Sequence, residues 1–294
     1  MKILFPSEPF SPKEVDSAMK AEYEAAKLVG FEVFLFDHDE FVKSANLRTN
    51  LPDNKDSFEC EKIILRSWML KRSQYMCLDS CLGDECYKLI NTVEKYLNCH
   101  FLPNVLPYIQ YHSGLVWYTT LEKADMKDWA PARKFLGGDV IIKDYVKSEK
   151  GNPDLFLLSK DLTNEEFTNR VMQFVEARGK LFNEGIVLKE VLPLKKYEGQ
   201  TNEWRFFYYK NENLISNQNS DTPVSVTSPS AYMIGELDRI AKKVNSNLFT
   251  IDIAELENGT WTILEMGDGQ VSGLPTREDA ISFYNKLQIK INEK

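Results

Sequence analysis

IDIAELENGTWTILEMGDGQ (residues 251–270) carries two apolar runs on either side of Glu257-Asn258-Gly259, a strong turn signal, and so predicts a β-hairpin with strands over 248–256 and 260–266. On such a hairpin Asp252 and Glu265 lie on adjacent strands. Each sits inside an apolar run: Ile251, Ile253 and Ala254 surround the first, and Ile263, Leu264 and Met266 the second. A buried carboxylate without compensation is costly, so each of these needs a cation or a hydrogen-bond donor. Two hard oxygen ligands facing one another suit a shared divalent ion, and magnesium also accepts phosphate oxygens. Asp268, just past the second strand, is placed to add a ligand directly or through water. The pattern alone does not force a metal, because carboxylates on ordinary hairpins usually face solvent.

Upstream, further charges interrupt apolar strands. DVIIKDYV (139–146) contains Lys143, IVLKEVL (186–192) contains Lys189 and Glu190, and EWRFFYYK (203–210) contains Arg205. A lysine inside an apolar strand either snorkels to the surface or points at an anion. The turn after Lys143 holds Lys147, Ser148 and Lys150, whose side chains and backbone N–H groups suit phosphate wrapping, although Gly151 is its only glycine. The arginine fork of Arg205 suits phosphate or carboxylate; otherwise it pairs with a nearby glutamate.

The chain on both sides of this core follows the same logic. Residues 162–179 predict an amphipathic helix with Thr163 as N-cap and Glu165 and Glu166 in its first turn. Residues 213–216 predict a strand, and 230–245 and 276–291 predict helices. At the N-terminus, a strand over 2–5, a helix over 13–29 stopped by Gly30, and a strand over 31–37 open a βαβ unit and hence a parallel sheet. KIILRSW (62–68) reads as the next strand, followed by two helices around Gly83 and YKLIN (87–91). In open parallel sheets the strand carboxyl ends face the ligand crevice, which makes Arg66 a candidate for an acidic substrate, with a structural ion pair as the alternative. The region 101–140 is harder to read: LPNVLPYIQYHSGL has two prolines and mixed periodicity, consistent with one or two connecting helices. Domains are expected at 1–100, 101–185 and 186–294.

With 294 residues, 43% of them hydrophobic, the chain has room for about two well-packed domains. A net charge of −8 disfavours a long nucleic-acid-tracking surface. MKILFPSEPF lacks a signal-peptide core, and no stretch is apolar for long enough to span a bilayer, so a cytoplasmic protein is expected. The five cysteines include Cys77 and Cys81 at helical spacing; the spacings do not match a zinc site, and reduced thiols are expected. The three histidines form no nucleophile–base signature; His38, in FDHDE at a strand end, is either a surface-loop residue or a cleft residue.

Taken in order, these elements resemble the ATP-grasp superfamily from about residue 100 to the end: strand-borne lysine with a polar loop, helix, strand with Lys-Glu, strand with Arg, then paired strands bearing Asp and Glu-x-Gly-Asp. The leading stretches ILFPSEPF, VDSAMKAEYEAAKLVGFEV, LRSWML and YKLIN, with the ending EMGDGQVSGLP, resemble a poorly characterised clade of ATP-grasp domain proteins of bacteria and their phages. The resemblance implies an α/β (α+β) ATP-grasp fold behind an N-terminal α/β pre-ATP-grasp domain, with ATP and Mg2+ as cofactors. It places Lys143 on the α/β-phosphates, Lys147, Ser148 and Lys150 in a lid loop, and Lys189 and Glu190 at the start of the adenine hinge. Glu190 would accept from the adenine amino group, and the Val191–Leu192 backbone would read the ring edge. Asp252 and Glu265 would coordinate magnesium, and Arg205 would stabilise the transferring phosphoryl group. The implied reaction is attack of a small acid on the γ-phosphate and capture of the acyl-phosphate by an amine.

Three features depart from the better-known branches. Gly267 stands where they have Asn, with Asp268 or Gln270 as substitutes; the lid loop is poor in glycine; and Cys99-His100-Phe101 occupies the place of an additional upstream lysine. A nucleic-acid end-joining ligase with Lys189 as nucleotidyl acceptor, and a non-catalytic nucleotide-binding protein, are the alternative readings.

Overall fold

The computed structural model describes residues 1–120, 128–148, 151–219, 225–275 and 280–293. Short apolar runs separated by helix signals form a parallel sheet at the N-terminus. β1 (Lys2–Glu8), β3 (Glu32–Phe36), β4 (Glu61–Leu65) and β5 (Tyr87–Leu89) run parallel in the order β3-β1-β4-β5. Ile3, Leu4 and Phe5 are fully buried in succession, as expected where both sheet faces are covered. The helices Lys20–Val29 and Ala280–Asn292 pack together and share a core with one face. The helices Arg72–Asp84 and Val93–His100 cover the other.

Several local readings are corrected. Residues 11–15 do not begin the first helix but form β2 (Ser11–Val15), antiparallel to the end of β1. Pro12 lacks a backbone N–H and suits an edge strand, and the Asp16 side chain accepts from Ala18 N–H, so helical structure starts only there. The strand expected to reach Trp68 ends at Leu65: Arg66 N–H still donates to Leu4 O, but Ser67 N–H turns to Gln270 O. One helix runs through Gly83 where two were expected; a helical glycine costs only about 1 kcal/mol. The helices Leu102–Ile109 and Ala130–Leu136 lie where one or two connecting helices were expected, whereas the helix His38–Ser44 and the strand β6 (Val116–Thr120) were not anticipated.

The expectation of reduced cysteines is also corrected. The register Glu61↔Tyr87 between parallel β4 and β5 sets the preceding residues, Cys60 and Cys86, side by side, and they form a disulfide with Cα atoms 4.4 Å apart. Cys77, Cys81 and Cys99 are free. A pairing across 26 positions depends on strand register, which cysteine spacing does not reveal.

The second sheet is antiparallel, in the order β6-β9-β7-β8, with β7 (Val140–Asp144), β8 (Leu157–Leu158) and β9 (Gly185–Glu190). Val140, Ile142, Ile186 and Leu188 face Trp129, Phe167 and Phe174. The helix Asn164–Arg178 supplies the two phenylalanines, and Thr163 and Glu166 form its capping box.

β10 (Lys196–Tyr197) and β11 (Gln200–Thr201) make a small hairpin that leads to the third sheet. This is antiparallel, β13-β12-β14-β15, from β12 (Glu203–Tyr209), β13 (Glu212–Gln218), β14 (Leu248–Glu255) and β15 (Trp261–Asp268). β14 is buried along its whole length. Phe249, Ile251 and Ile253 pack with the helices Val93–His100, Leu102–Ile109 and Ala231–Ala241, while Phe207, Tyr209 and Leu248 join the core shared with the N-terminal sheet. No helix among the described residues is long and apolar enough to cross a membrane.

At the end of β14, Glu255 accepts hydrogen bonds from Lys195, Tyr197, Thr227 and Asn202, and so fastens the β10–β11 hairpin and the segment around Thr227 to the third sheet. Burial works against its charge, but donation from Lys195, Thr227, Asn202 and Tyr197 outweighs it and holds the carboxyl at about 2, below the usual 4.5. A depressed folded-state pKa stabilises the fold above the unfolded value and loses that contribution as pH falls through the folded one. Thermal denaturation should therefore show the wild type more stable than Glu255→Gln above pH 5, with the gap closing between pH 4.5 and about 2. A pH-independent gap would show that this network does not depend on the carboxylate charge.

Candidate functional site

Antiparallel pairing carries three charged side chains into one line across the third sheet: Arg205 on β12 lies opposite Asp252 on β14, which lies opposite Glu265 on β15. Residues in register share a sheet face. Arg205 grips Asp252 in a fork, Nε to Oδ1 at 2.8 Å and Nη2 to Oδ2 at 2.6 Å, while Nη1 donates to Gly273 O at 2.9 Å. β15 has one extra residue opposite β14, between the pairs Asp252↔Glu265 and Ile253↔Ile263. This bulge residue is Leu264, and its carbonyl accepts from Lys189 Nζ at 2.6 Å.

The second sheet supplies the lysines. Ile141 lies opposite Lys189, and Lys143 is two residues further along β7, so both lysines share the face turned away from the helical core. Lys143 is buried and donates to Glu265 Oε2 at 3.1 Å. The next residue, Asp144, is fully buried and accepts from the N–H groups of Val146 and Lys147, both at 2.7 Å, and from Arg178 and Asn183. It fixes the start of the polar loop and turns Lys147 toward the cavity.

Between the sheets lies a cavity of about 220 Å3, walled by His100, Lys147, Arg205, Asp252 and Glu265, with Trp68 and Met69 from the N-terminal domain. Burial raises the Asp252 carboxyl above its usual range; Arg205 works against this and the neighbouring Glu265 adds to it. Burial opposes the charge of Arg205 as well, but Asp252 outweighs it and holds the guanidinium above its ordinary value. His100 stacks on Tyr96 at 4.6 Å, and Tyr96 on Tyr75 at 3.9 Å. Burial, together with the positive charges of Lys147 and Lys143, pushes the His100 imidazole down to about 3, so the ring is neutral at ordinary pH.

The structure thus brings Lys143, Lys189, Arg205, Asp252 and Glu265 together and sets Lys147 beside them. Ser148 follows Lys147 and is half-buried. Lys150 lies outside the described residues. Glu190 Oε2 accepts from Leu115 N–H at 2.9 Å, and Val191, partly exposed, donates its N–H to Asp139 O. Leu192 O accepts from Leu194 N–H in the same segment.

Two expected site residues lie elsewhere. Asp268 is three positions beyond Glu265 and pairs with Phe249, so strand alternation turns it to the opposite face. There it accepts from Asn91 Nδ2 at 2.6 Å and Gln270 N–H at 2.9 Å, and burial lifts its carboxyl to about 7 against the pull of those donors. It does not join Asp252 and Glu265.

Arg66 is almost wholly buried and fully engaged. Nε and Nη2 donate to Glu22 at 2.9 and 2.8 Å, and Nη1 donates to the carbonyls of Gly269 and Ser272. It braces the loop that walls the cavity and offers nothing to a substrate. His100, Asp144, Trp68 and Met69 were not assigned to the site from sequence. The position of His100 in place of a family lysine was the one available signal; the others depend on tertiary contacts.

No group of three or more His, Cys, Asp or Glu side chains able to hold a metal occurs among the described residues. Asp252 and Glu265 do fit a magnesium ion that completes its shell with water and phosphate oxygens, since both are oxygen donors in register on adjacent strands. As the pairs stand, each carboxylate faces a cation of the protein, so an incoming ion and an anionic ligand would exchange partners with them.

Residues 128–287 match the family model described as the ATP-grasp domain of R2K clade family 3. No curated protein sequence matches the chain. Among solved structures, the D-cycloserine synthetase DcsG superposes with a TM-score of 0.63 at 11% identity, covering 99% of this chain and 100% of that one. A RimK domain ATP-grasp protein from Sphaerobacter thermophilus gives 0.61 at 12% identity, covering 98% of each chain. The D-alanine–D-alanine ligase from Coxiella burnetii gives 0.60 at 12%, covering 99% of this chain and 97% of that one. At these identities the likeness speaks for the fold alone.

Because removing one partner strands a buried charge, Arg66→Ala should cost about 3–5 kcal/mol in urea unfolding. Loss of no more than about 1 kcal/mol, the value of an exposed pair, would show that the Arg66–Glu22 contact is not a structural brace.

Proposed function

The chain belongs to the ATP-grasp domain proteins of R2K clade family 3, and from that premise we propose that it is an ATP- and magnesium-dependent ligase that activates a carboxylate for coupling to an amine. The observation that carries the reading is the pair of ion pairs at one cavity, Lys143–Glu265 between two sheets and Arg205–Asp252 beside it. Two cations and two carboxylates in this order form an exchangeable set. Triphosphate oxygens would draw Lys143 from Glu265, and Glu265, with the lone pairs that Asp252 keeps beyond its bonds to Arg205, would hold magnesium. When bound, magnesium neutralises charge that builds on the phosphate oxygens.

The positions of these residues support the following roles. Lys143 and Lys147 hold phosphate oxygens, with Ser148 beside them in the loop. Lys189, fixed on the Leu264 carbonyl, and Glu190 begin the hinge for the adenine, continued by the Val191–Leu192 backbone. Arg205 keeps a second N–H on each terminal nitrogen beyond its bonds to Asp252 and Gly273, and these face the phosphoryl group in transfer. A substrate carboxylate oxygen bonds to the γ-phosphorus as the bond to the β-bridging oxygen breaks, and ADP leaves. The amine nitrogen then attacks the acyl carbon, the carbon–oxygen bond to phosphate breaks, and the nitrogen sheds a proton. Residues 1–100 act as the leading domain, and 101–185 and 186–294 as the two halves around the nucleotide. Among the structural neighbours, PsnB was solved with a minimal precursor, Mg and ADP, which accords with a peptide-like or amino-acid substrate.

Mg2+ with a non-hydrolysable ATP analogue should raise the melting temperature of the wild type. Asp252→Asn and Glu265→Gln should each weaken binding of the analogue by about tenfold or more, the scale of losing a charge-assisted contact, and so reduce that rise. Incubation with ATP, pooled amino acids and peptides should release ADP. Wild-type turnover in both variants would overturn the site assignment; AMP release with a covalent nucleotide on Lys189 would replace the reaction with nucleotidyl transfer.

A further inference from the structure

The cavity between the sheets has two unlike walls. One is the face of the third sheet, where Thr250 and Asp252 on β14 lie opposite Gly267 and Glu265 on β15, and Arg205 reaches across to Asp252. The other is built on the core of the N-terminal domain, from Trp68, Met69, His100, Val146 and Val271. Tyr96 ties this second wall together. His100 stacks on its ring at 4.6 Å. Its hydroxyl donates to Leu70 O at 2.7 Å and accepts from Leu70 N–H at 3.1 Å, which pins the chain just after Trp68 and Met69. Val146 belongs to the same buried cluster as Tyr96 and Leu70, and Val271 packs against it.

This second wall carries little polar chemistry. The indole N–H of Trp68 is taken up by Asp16 Oδ2 at 2.8 Å, which leaves the carbon surface of the ring for contact. Met69, Val146 and Val271 have apolar side chains. His100 is uncharged at ordinary pH, since burial and the charges of Lys147 and Lys143 oppose the imidazolium. Arg66, close by in the chain, is consumed by Glu22 and the carbonyls of Gly269 and Ser272. Among the described residues that line the cavity, the cationic side chains are Lys147 and Arg205. Trp68 and Met69 remain 41% and 42% exposed, so apolar area is left for a ligand to cover.

The position suits the acid. Glu190, Val191 and Leu192, assigned above to the adenine, are not among the residues that line this cavity, whereas Lys147 of the phosphate loop and the carboxylates for magnesium are. The cavity therefore lies at the phosphate end of the nucleotide, where the attacking carboxylate must stand. A carboxylate there meets Arg205 and Lys147, and the rest of the molecule lies against the N-terminal wall. An apolar body gains by leaving water for that wall; a second carboxylate would lose hydration there without receiving a cation. We propose that the wall of Trp68, Met69, His100, Val146 and Val271 selects an acid with a single carboxylate and an apolar or aromatic body, and rejects dicarboxylic acids. This inference rests on the ligase reading above and names the class of acid.

The test is equilibrium binding to the full chain, saturated with Mg2+ and a non-hydrolysable ATP analogue, read by calorimetry and tryptophan fluorescence. 3-Phenylpropanoate should bind about tenfold or more tighter than succinate, which has a second carboxylate in place of the phenyl ring. Its binding should change the fluorescence of the wild type, and that change should be largely lost in Trp68→Phe while calorimetry still shows binding. Met69→Lys, which sets a cation in the wall, should weaken 3-phenylpropanoate and strengthen succinate, so that the gap closes. The wild-type comparison of the two acids depends on neither variant. No binding of 3-phenylpropanoate, equal or tighter binding of succinate, an undiminished fluorescence change in Trp68→Phe, or an unaltered gap in Met69→Lys would each overturn selection by this wall. Binding of the Mg2+–ATP analogue is measured first, without acid. Analogue binding followed by any of those results removes the inference alone; failure of the analogue to bind removes the ligase reading and the inference with it.

Discussion

A lysine on one sheet and a glutamate on another, Lys143 and Glu265, stand 3.1 Å apart across the cleft between the second and third sheets. Charges that leave bulk water need partners, and an interior that brings several together must satisfy all of them at once. Here the demand is met in pairs: Lys143 with Glu265, Arg205 with Asp252, and Lys189 with the carbonyl freed by the bulge at Leu264. Each pair draws on a different sheet or strand. The two sheets are therefore held in register by groups whose chemistry also suits a metal-bound triphosphate. The same contacts keep the side chains of the candidate site ordered.

The N-terminal domain belongs to this arrangement through a separate, neutralised seam. Arg66 binds Glu22 on one side and the carbonyls of Gly269 and Ser272 on the other, and Asn91 links Asp268 with Leu248 O. Gln270 accepts from Leu65 N–H and donates to Tyr75. The loop after β15 is thereby fixed between two domains, and it forms one wall of the cavity. Rigid support of this kind is what a site needs if it is to hold reacting groups in place.

The hairpin around Asn258-Gly259 was legible because its signals are local: two apolar runs, a turn sequence, and a carboxylate in each run. Lys143, Lys189 and Arg205 stood out for a similar reason, as charges inside strands. Asp268 misled because it is near Glu265 along the chain, whereas a strand sends residues three apart to opposite faces. Arg66 misled in another way: its place at a strand end was read correctly, but the partners that consume it come from residues 22, 269 and 272. The Cys60–Cys86 bond and the neutral His100 in the cavity wall were equally out of reach, since one follows from the register of β4 on β5 and the other from burial beside two lysines.

The sequence by itself determined the alternation of strands and helices, the ATP-grasp character of the chain, and the side chains whose charge sets them apart from their surroundings. Period, turn chemistry and isolated charge are properties of neighbours along the chain, and they survive without a fold. Only the tertiary structure decided which of those charges meet, which face each occupies, and which are already spent on one another. Those outcomes depend on register between strands far apart in sequence and on how much water each group loses, and neither quantity exists until the sheets have packed.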